Sequence, residues 1–437
     1  MYHDMKDKKL LEGILLFPNS SYYKKFRPYL LKLLRLSRSE RILRSPIHAL
    51  AVQLALLDTL GKAEKTIREQ LSQHKMEKNN INVIYNQRIR YILKDIADGI
   101  AWRVLNFNRP LLRILSQNRS PGHIKTDVSQ ETSITVNLIQ KGKHILINDV
   151  TNFLRIGDFT LVDNNSRPTI IEAKKSGKKL LSANDYKQYL ARGGNLTKQA
   201  KRILEVEQVL KDGVLVLGED KAKILVINTT IDTYLPEVEN IVHNSVLNGY
   251  CERFIEKFLF VRSYKLECIP NRLLPPFNSR NWVGFSNLET MSLEHGELFR
   301  NRIPYSCYPF CDTDVLSLIS GEIILESFIN LEYIKKYYRK HRWKVRNYNK
   351  AIIDSPNDCY EGNQLFNKNL DTTFFILSQD GFNINVPGEL IDRIFMDFLK
   401  PNFIIETATT VKHSMQSTRP KDLYVGFSYP QERYIWK

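Results

Sequence analysis

Two carboxylates and an amine fall within one short stretch of this chain: Asp158, Glu172 and Lys174 in RIGDFTLVDNNSRPTIIEAKKS, residues 155–176. Asn164, Asn165, Ser166 and Pro168 are turn chemistry, because Asn and Ser side chains bond to nearby backbone and Pro fixes its own φ. They separate two runs that read as strands, so the simplest geometry is a β-hairpin. A turn centred on Asn165 puts Asp158 seven residues before the centre and Glu172 seven after it. The two acids then oppose each other on one face, where Cβ atoms sit about 4.5–5.5 Å apart. Lys174, two residues beyond Glu172, points the same way. Opposed carboxylates repel, and a divalent cation offsets that repulsion. Mg²⁺ takes oxygen ligands, commonly one or two carboxylates with water and substrate phosphate. The backbone carbonyl of Ala173 is a candidate third ligand. Such a centre activates water and stabilises charge on phosphate oxygens, with Lys174 placed to orient the water or neutralise the transition state. The other face, with Phe159, Leu161, Ile171 and Ala173, is apolar and suited to packing under a helix. A purely structural hairpin, in which Lys174 neutralises Glu172, is the alternative.

The pattern Asp158, thirteen residues, then Glu172-Ala173-Lys174 resembles the PD-(D/E)XK nuclease superfamily, the restriction-endonuclease-like fold. Gly157 precedes the acid where that pattern has proline. The resemblance covers residues 86–230 and implies a mixed β-sheet flanked by helices, with the acids and the lysine at one edge. It implies Mg²⁺-dependent phosphodiester hydrolysis, with Mn²⁺ able to substitute. It also implies an acid from the helix before the sheet, for which Asp98 is the candidate and Asp95 the second choice; a solvated acid on an exposed face is the alternative. The helix after Lys174 would supply Gln199 and Arg202, or Gln188, near the phosphate.

The elements that must position these residues follow from periodicity. Residues 1–85 read as a helical N-terminal region, with breaks at Pro18, Pro28, Pro46 and Gly61. A helix from about Asn86 to Asn106 carries the stripe Ile89, Ile92, Leu93, Ile96, Ile100 and Val104. Strand-like runs follow at 134–138, 145–147, 155–162 and 169–174. A helical stretch from Ala183 to Leu210 is split at Gly193-Gly194, and buried strands are expected at 214–217 and 224–227. Strands, helix and strands again describe an α/β core over 86–230. Residues 231–437 read as a C-terminal α+β region.

The chain has 437 residues with 64 Lys and Arg against 47 Asp and Glu, a formal charge of +17. A charge of that size favours an anionic partner, nucleic acid first. Lys175, Lys178 and Lys179 follow the proposed site in a loop that could track a DNA backbone. A second cluster, YIKKYYRKHRWKVR at 333–346, reads as a basic helix. Its Lys335, Lys336, Arg339 and Arg342 are candidates for phosphate contact and its Trp343 for base stacking. A helix packed down by its aromatics, with a solvated basic face, is the alternative.

No run is long and apolar enough to span a membrane, and the N-terminal apolar run is interrupted by Glu12, so a cytoplasmic protein is expected. The five cysteines are scattered and odd in number, which argues against a disulfide framework. Cys307 and Cys311 could open a zinc site, but no second pair with suitable spacing follows, and buried free thiols are expected. His123, His295 and His413 stand alone and read as structural or surface residues. No Walker loop, dinucleotide-binding glycine pattern or GxSxG elbow is present. The expectation is a Mg²⁺-dependent DNA endonuclease, by analogy a component of bacterial antiviral defence, repair or mobile-element processing. RNA remains an alternative substrate. The rival is a non-catalytic nucleic-acid-binding subunit, or one whose C-terminal region docks a partner protein or a second copy of itself.

Overall fold

The computed structural model describes residues 13, 15–73, 81–116, 133–135, 138–139, 143–154, 156–163, 168–173, 180–212, 214–217, 220–228, 232–268, 282–288, 302–347, 373–417 and 423–428. The chain is mixed α/β. Helices α1 (Ser21–Arg38), α2 (Pro46–Gln73), α3 (Ile81–Val104) and α4 (Arg109–Ser116) come first. Ser20 caps α1 by accepting from the Tyr23 N–H at 3.1 Å, the usual service of a serine at that position. Two of the expected breaks do not occur: α1 runs through Pro28 and α2 through Gly61. Pro46 opens α2 instead, where its missing N–H costs nothing.

Helix α3 is the axis of the molecule. Every residue from Ile92 to Val104 is buried, including Lys94, Asp95, Asp98 and Arg103. A helix buried on all sides lies in a core rather than on its rim. Gly99 allows a neighbour to approach closely: a Cβ there would stand 2.4 Å from Ser306 Oγ. The Ser306 hydroxyl donates to the Asp95 carbonyl at 2.6 Å, and the Ser306 N–H donates to the Asp95 carboxylate at 3.1 Å.

Strands β1 (His144–Ile147), β2 (Phe159–Val162), β3 (Pro168–Ala173) and β4 (Leu180–Leu181) form one sheet in the order β1-β2-β3-β4. All three pairings are antiparallel, so the sheet that carries the two acids is not the mixed sheet expected. The run at 134–138 is not a strand either; residues 133–135 and 138–139 are helical. The open edge of β1 is covered by α2. Gln53, 1% exposed, donates to the Ile145 carbonyl at 2.8 Å and accepts from the Ile147 N–H at 2.9 Å. Its amide does what a neighbouring strand would do. All four residues of β2 are buried, so the hairpin has cover on both faces instead of one apolar and one open face.

After β4 come α5 (Ala183–Ala191) and α6 (Lys198–Asp212), separated near Gly193-Gly194 as expected. Strands β5 (Val214–Leu217) and β6 (Asp220–Asn228) then pair antiparallel. They belong to a different sheet, which β14 (Leu423–Ser428) joins by lying parallel to β6.

The remainder is α7 (Leu235–Asn248), β7 (Tyr250–Glu256), β8 (Leu259–Lys265), β9 (Trp282–Ser286), α8 (Asp312–Ser320), β10 (Ile323–Asn330), α9 (Leu331–Lys340), β11 (Lys344–Asn347), β12 (Thr373–Gln379), β13 (Phe382–Pro387), α10 (Gly388–Met396) and α11 (Asn402–Ser417). Two antiparallel sheets result, ordered β7-β8-β10-β9 and β11-β12-β13. Buried apolar residues from Phe17 to Ala408 form one continuous cluster. The core therefore runs across the boundaries expected near residues 85 and 230. No described helix is long and apolar enough to cross a membrane.

Candidate active site

The hairpin register matches a turn centred on Asn165. Phe159 pairs with Ile171, Thr160 with Ile170, Leu161 with Thr169 and Val162 with Pro168. The turn residues 164–167 lie outside the described residues. Asp158 sits one residue before β2, and its N–H bonds to the Ile171 carbonyl at 2.9 Å. That places it against Ile171 and Glu172. Asp158 Oδ2 accepts from the Ala173 N–H at 2.6 Å, which fixes the carboxylate against β3. Both acids are half-buried.

Gly157 explains the departure from proline. Its φ is +69°, in the left-handed region where L side chains are strained. A Cβ there would stand 2.7 Å from the Ile171 carbonyl oxygen and 2.6 Å from Ile170 Cγ2. Only glycine brings the chain into β2 along this path and leaves Asp158 facing Glu172.

Tyr186 was not anticipated from the sequence. It lies in α5, which is capped by Ser182 and Asp185: the Ser182 N–H and hydroxyl donate to Asp185 Oδ2 at 2.8 and 2.6 Å. The Tyr186 phenol is buried and donates to Glu172 Oε2. Burial raises its pKa first, the Glu172 carboxylate adds to that, and the charge of Asp158 adds further. Glu172 is thus fixed by Tyr186, and Asp158 by the N–H of Ala173, the residue next to Glu172. A tyrosine four residues after a helix-capping serine carries no sequence signal of this kind. Its partner comes from a strand, and only the β3–β4–α5 path brings them together.

Lys174, Lys175, Lys178 and Lys179 lie outside the described residues. The carboxylate half of the expected site is therefore placed, and its amine is not. Gln199 and Gln188 are exposed and Arg202 is half-buried. Gln188 lies in α5, whereas Gln199 and Arg202 lie in α6, which is tied to the hairpin through Glu207, accepting from the Ile170 N–H at 3.4 Å.

Asp98 is not a solvated acid. It is 7% exposed and accepts from the Asn152 N–H at 2.7 Å and from Asn152 Nδ2 at 2.8 Å. Asn152 follows β1 in the segment that includes Asn148. Asn148 in turn donates from its side chain to the carbonyls of Ile156 (2.7 Å) and Gly157 (3.2 Å), and from its N–H to the Asp158 carbonyl (3.0 Å). Asp98 thus anchors the segment that holds Gly157 and Asp158, one step behind the acids. Asp95, the second choice, is engaged by Ser306 and lies 3.7 Å from the Arg302 guanidinium.

Burial pushes the Asp98 carboxyl from 3.8 up to about 7; the Asn152 N–H opposes this and the charge of Asp95 adds to it. Unfolded Asp98 ionises near 3.8 and native Asp98 near 7. Between those values the native state keeps a proton that the unfolded state has released. This contribution to stability therefore falls as pH rises through the window and is flat above it. Asp98→Asn is expected to remove that part of the slope. Urea midpoints of both proteins at about pH 5 and pH 8 check this; an identical loss in wild type and variant would assign the slope to other groups.

The basic cluster divides into core and surface. Trp343 is 2% exposed and belongs to the continuous core, with Ile334 and Tyr338. It cannot stack on a base, and the expectation that it contacts nucleic acid is corrected. Helix α9 ends at Lys340, and Arg342 turns the chain with φ +65° into β11. The helix expected to run through Arg346 therefore stops at Lys340, and a strand takes Lys344–Asn347. Lys335 is paired with Glu332 at 2.8 Å. Lys336, Arg339, Lys340 and Arg342 are exposed. Exposed aromatics stand beside this face: Phe254 (49% exposed) and Tyr333 (42%), with the Lys336 ammonium 5.1 Å from the Tyr333 ring.

Cys307 is buried as expected, whereas Cys311 and Cys268 are exposed. In comparisons with known proteins the chain matches no family model, and neither the curated proteins nor the solved structures give a significant match.

Proposed function

We propose that this protein is a metal-dependent nuclease that hydrolyses DNA phosphodiester bonds, with its centre at the β2–β3 hairpin. The observation that carries the reading is the hairpin register, which sets Asp158 against Ile171 and Glu172, with Asp158 fixed by the Ala173 N–H and Glu172 by the Tyr186 hydroxyl. Two half-buried carboxylates held on one face are costly without a cation. Their donors are all oxygen, which suits Mg²⁺ or Mn²⁺. Asp158 and Glu172 would hold the ion, with the Ala173 carbonyl as a further ligand. When bound, the ion supplies an activated water and offsets charge on the phosphate oxygens.

The chain's own groups do the rest. The Ala173 N–H fixes the rotamer of Asp158. The Tyr186 hydroxyl holds one oxygen of Glu172 and orients the other. Lys174, at its place in the Glu-x-Lys pattern, would orient the attacking water or stabilise the charge that develops on phosphorus. Plasmid and single-stranded DNA cleavage should require Mg²⁺, stop with EDTA, and drop on the order of 100-fold or more in Lys174→Ala, the scale of losing one transition-state donor. Cleavage at an undiminished rate in EDTA would end this reading. A role in bacterial defence, repair or mobile-element processing is the context that such an activity suggests.

A second reading, a nucleic-acid-binding subunit without catalysis, is favoured by the exposed Lys336, Arg339 and Lys340 of α9 and the exposed Arg342 in the turn after it. Binding through those cations would weaken steeply with salt, and it would persist where cleavage is absent.

A further inference from the structure

We propose that His243, Cys311 and Asp314 form a zinc site that staples α7 to α8, independent of the nuclease reading. Among the described residues, these three bring a ring nitrogen, a thiol sulfur and a carboxylate oxygen within 4.8 Å of one another. His243 Nδ1 and Asp314 Oδ2 are 3.0 Å apart. The two elements are distinct: His243 belongs to α7, whereas Cys311 is the residue that caps α8 and Asp314 stands in its first turn.

The donor set decides the metal. Mg²⁺ and Ca²⁺ take oxygen and leave sulfur and imidazole unused. Nitrogen, sulfur and oxygen donors together suit Zn²⁺, which is bound by these ligand types. Water is left to fill the fourth position, since the cluster comprises His243, Cys311 and Asp314 alone among the described residues.

The site also has a platform. Asp314 is 2% exposed, so its carboxylate is held in place, while His243 and Cys311 open to solvent and give the ion a path in. The adjacent Asp312 is occupied by Arg38 at 2.6 Å and is not needed as a ligand. Binding deprotonates the Cys311 thiol and releases that proton to solvent, while the His243 ring carries its proton on Nε2 so that Nδ1 is open to the ion. The bond made is a thiolate–metal bond, and no electron changes hands.

The sequence hinted at this site but named the wrong partner. Cys307, four residues before Cys311, is buried and its thiol lies 3.6 Å from the Gly99 carbonyl. The partner is instead a histidine from a helix far earlier in the chain.

The test uses the full chain, stripped with chelator and titrated with Co²⁺. In wild type one of the bound ions is expected to give a thiolate-to-cobalt charge-transfer band, saturating at one equivalent per chain, and Zn²⁺ should abolish the band and raise Tm. Cys311→Ser, at an exposed position, should lose the band, and Cys268→Ser should keep it. His243→Gln and Asp314→Asn should weaken Zn²⁺ binding by more than the ~10–100-fold that loss of an outer partner costs. Glu172→Ala should leave the band intact, which separates this site from the hairpin centre. A wild-type protein without the band, or a Cys311→Ser protein that retains it, overturns the proposal.

Discussion

Glu172→Ala is expected to lower Mg²⁺-dependent DNA cleavage by about 10³-fold or more without unfolding the protein. The magnitude follows from the role of the carboxylate. A metal that stabilises transition-state charge contributes several kcal/mol, and each 1.36 kcal/mol is tenfold in rate. Asp158→Ala should act similarly, and the double variant should lose little more than either single one, because the two acids serve one ion. Stability should change little. Glu172 accepts from the Tyr186 hydroxyl, and Asp158 accepts from the neighbouring Ala173 N–H. Removing one relieves the repulsion and leaves its donor short of an acceptor, and these changes oppose each other. Tm within a few degrees of wild type alongside lost cleavage is the expected pair of results. Tyr186→Phe separates holding from reacting: it keeps both acids and should reduce the rate far less than Glu172→Ala. Isothermal titration with Mn²⁺ checks the binding step. Full cleavage by Glu172→Ala would remove the hairpin from the chemistry.

The second large effect concerns folding. Asp397→Ala is expected to cost about 3–5 kcal/mol of stability, the usual result of stripping one partner from a buried ion pair. The Arg109 and Asp397 side chains are 6% and 0% exposed, and Asp397 also accepts from the Ile303 N–H at 3.0 Å. The guanidinium lies over the Trp102 ring with its carbon 5.1 Å from the centroid. One carboxylate thus ties the start of α4 and the segment entering Tyr305 to the end of α10, and α3 sits beneath. Without it, a cation is left in an apolar enclosure and a peptide N–H loses its acceptor. Asp397→Asn keeps the N–H bond and loses the charge, so it should cost less. Urea or thermal unfolding of the three proteins measures the order.

The hairpin was legible because its information is local. Asn164 to Pro168 mark a turn, the flanking runs are strand-like, and register follows from counting outward. Gly193-Gly194 was legible for the same reason. The setting of the hairpin was not. Lys94, Asp95, Asp98 and Arg103 look like the wet side of an amphipathic helix, yet all are buried, because their partners Asn152, Ser306, Arg302 and Thr151 come from other segments. Trp343 sits among cations in sequence and among apolar groups in space, since the helix stops at Lys340 and the chain turns inward. Tyr186 and His243 carried no local signal; each gains meaning only from a carboxylate on another element.

Strand β6 gains its parallel neighbour from Leu423–Ser428, roughly 200 residues later, a separation that places this contact among the slowest to form. On the ribosome, β5 and β6 emerge early and must wait for most of the chain to be made before that flank is covered. Until then β6 presents unpaired backbone to any passing strand, the kind of exposure that invites misassociation in a half-made polypeptide. Ending synthesis before residue 423 would make that temporary hazard permanent.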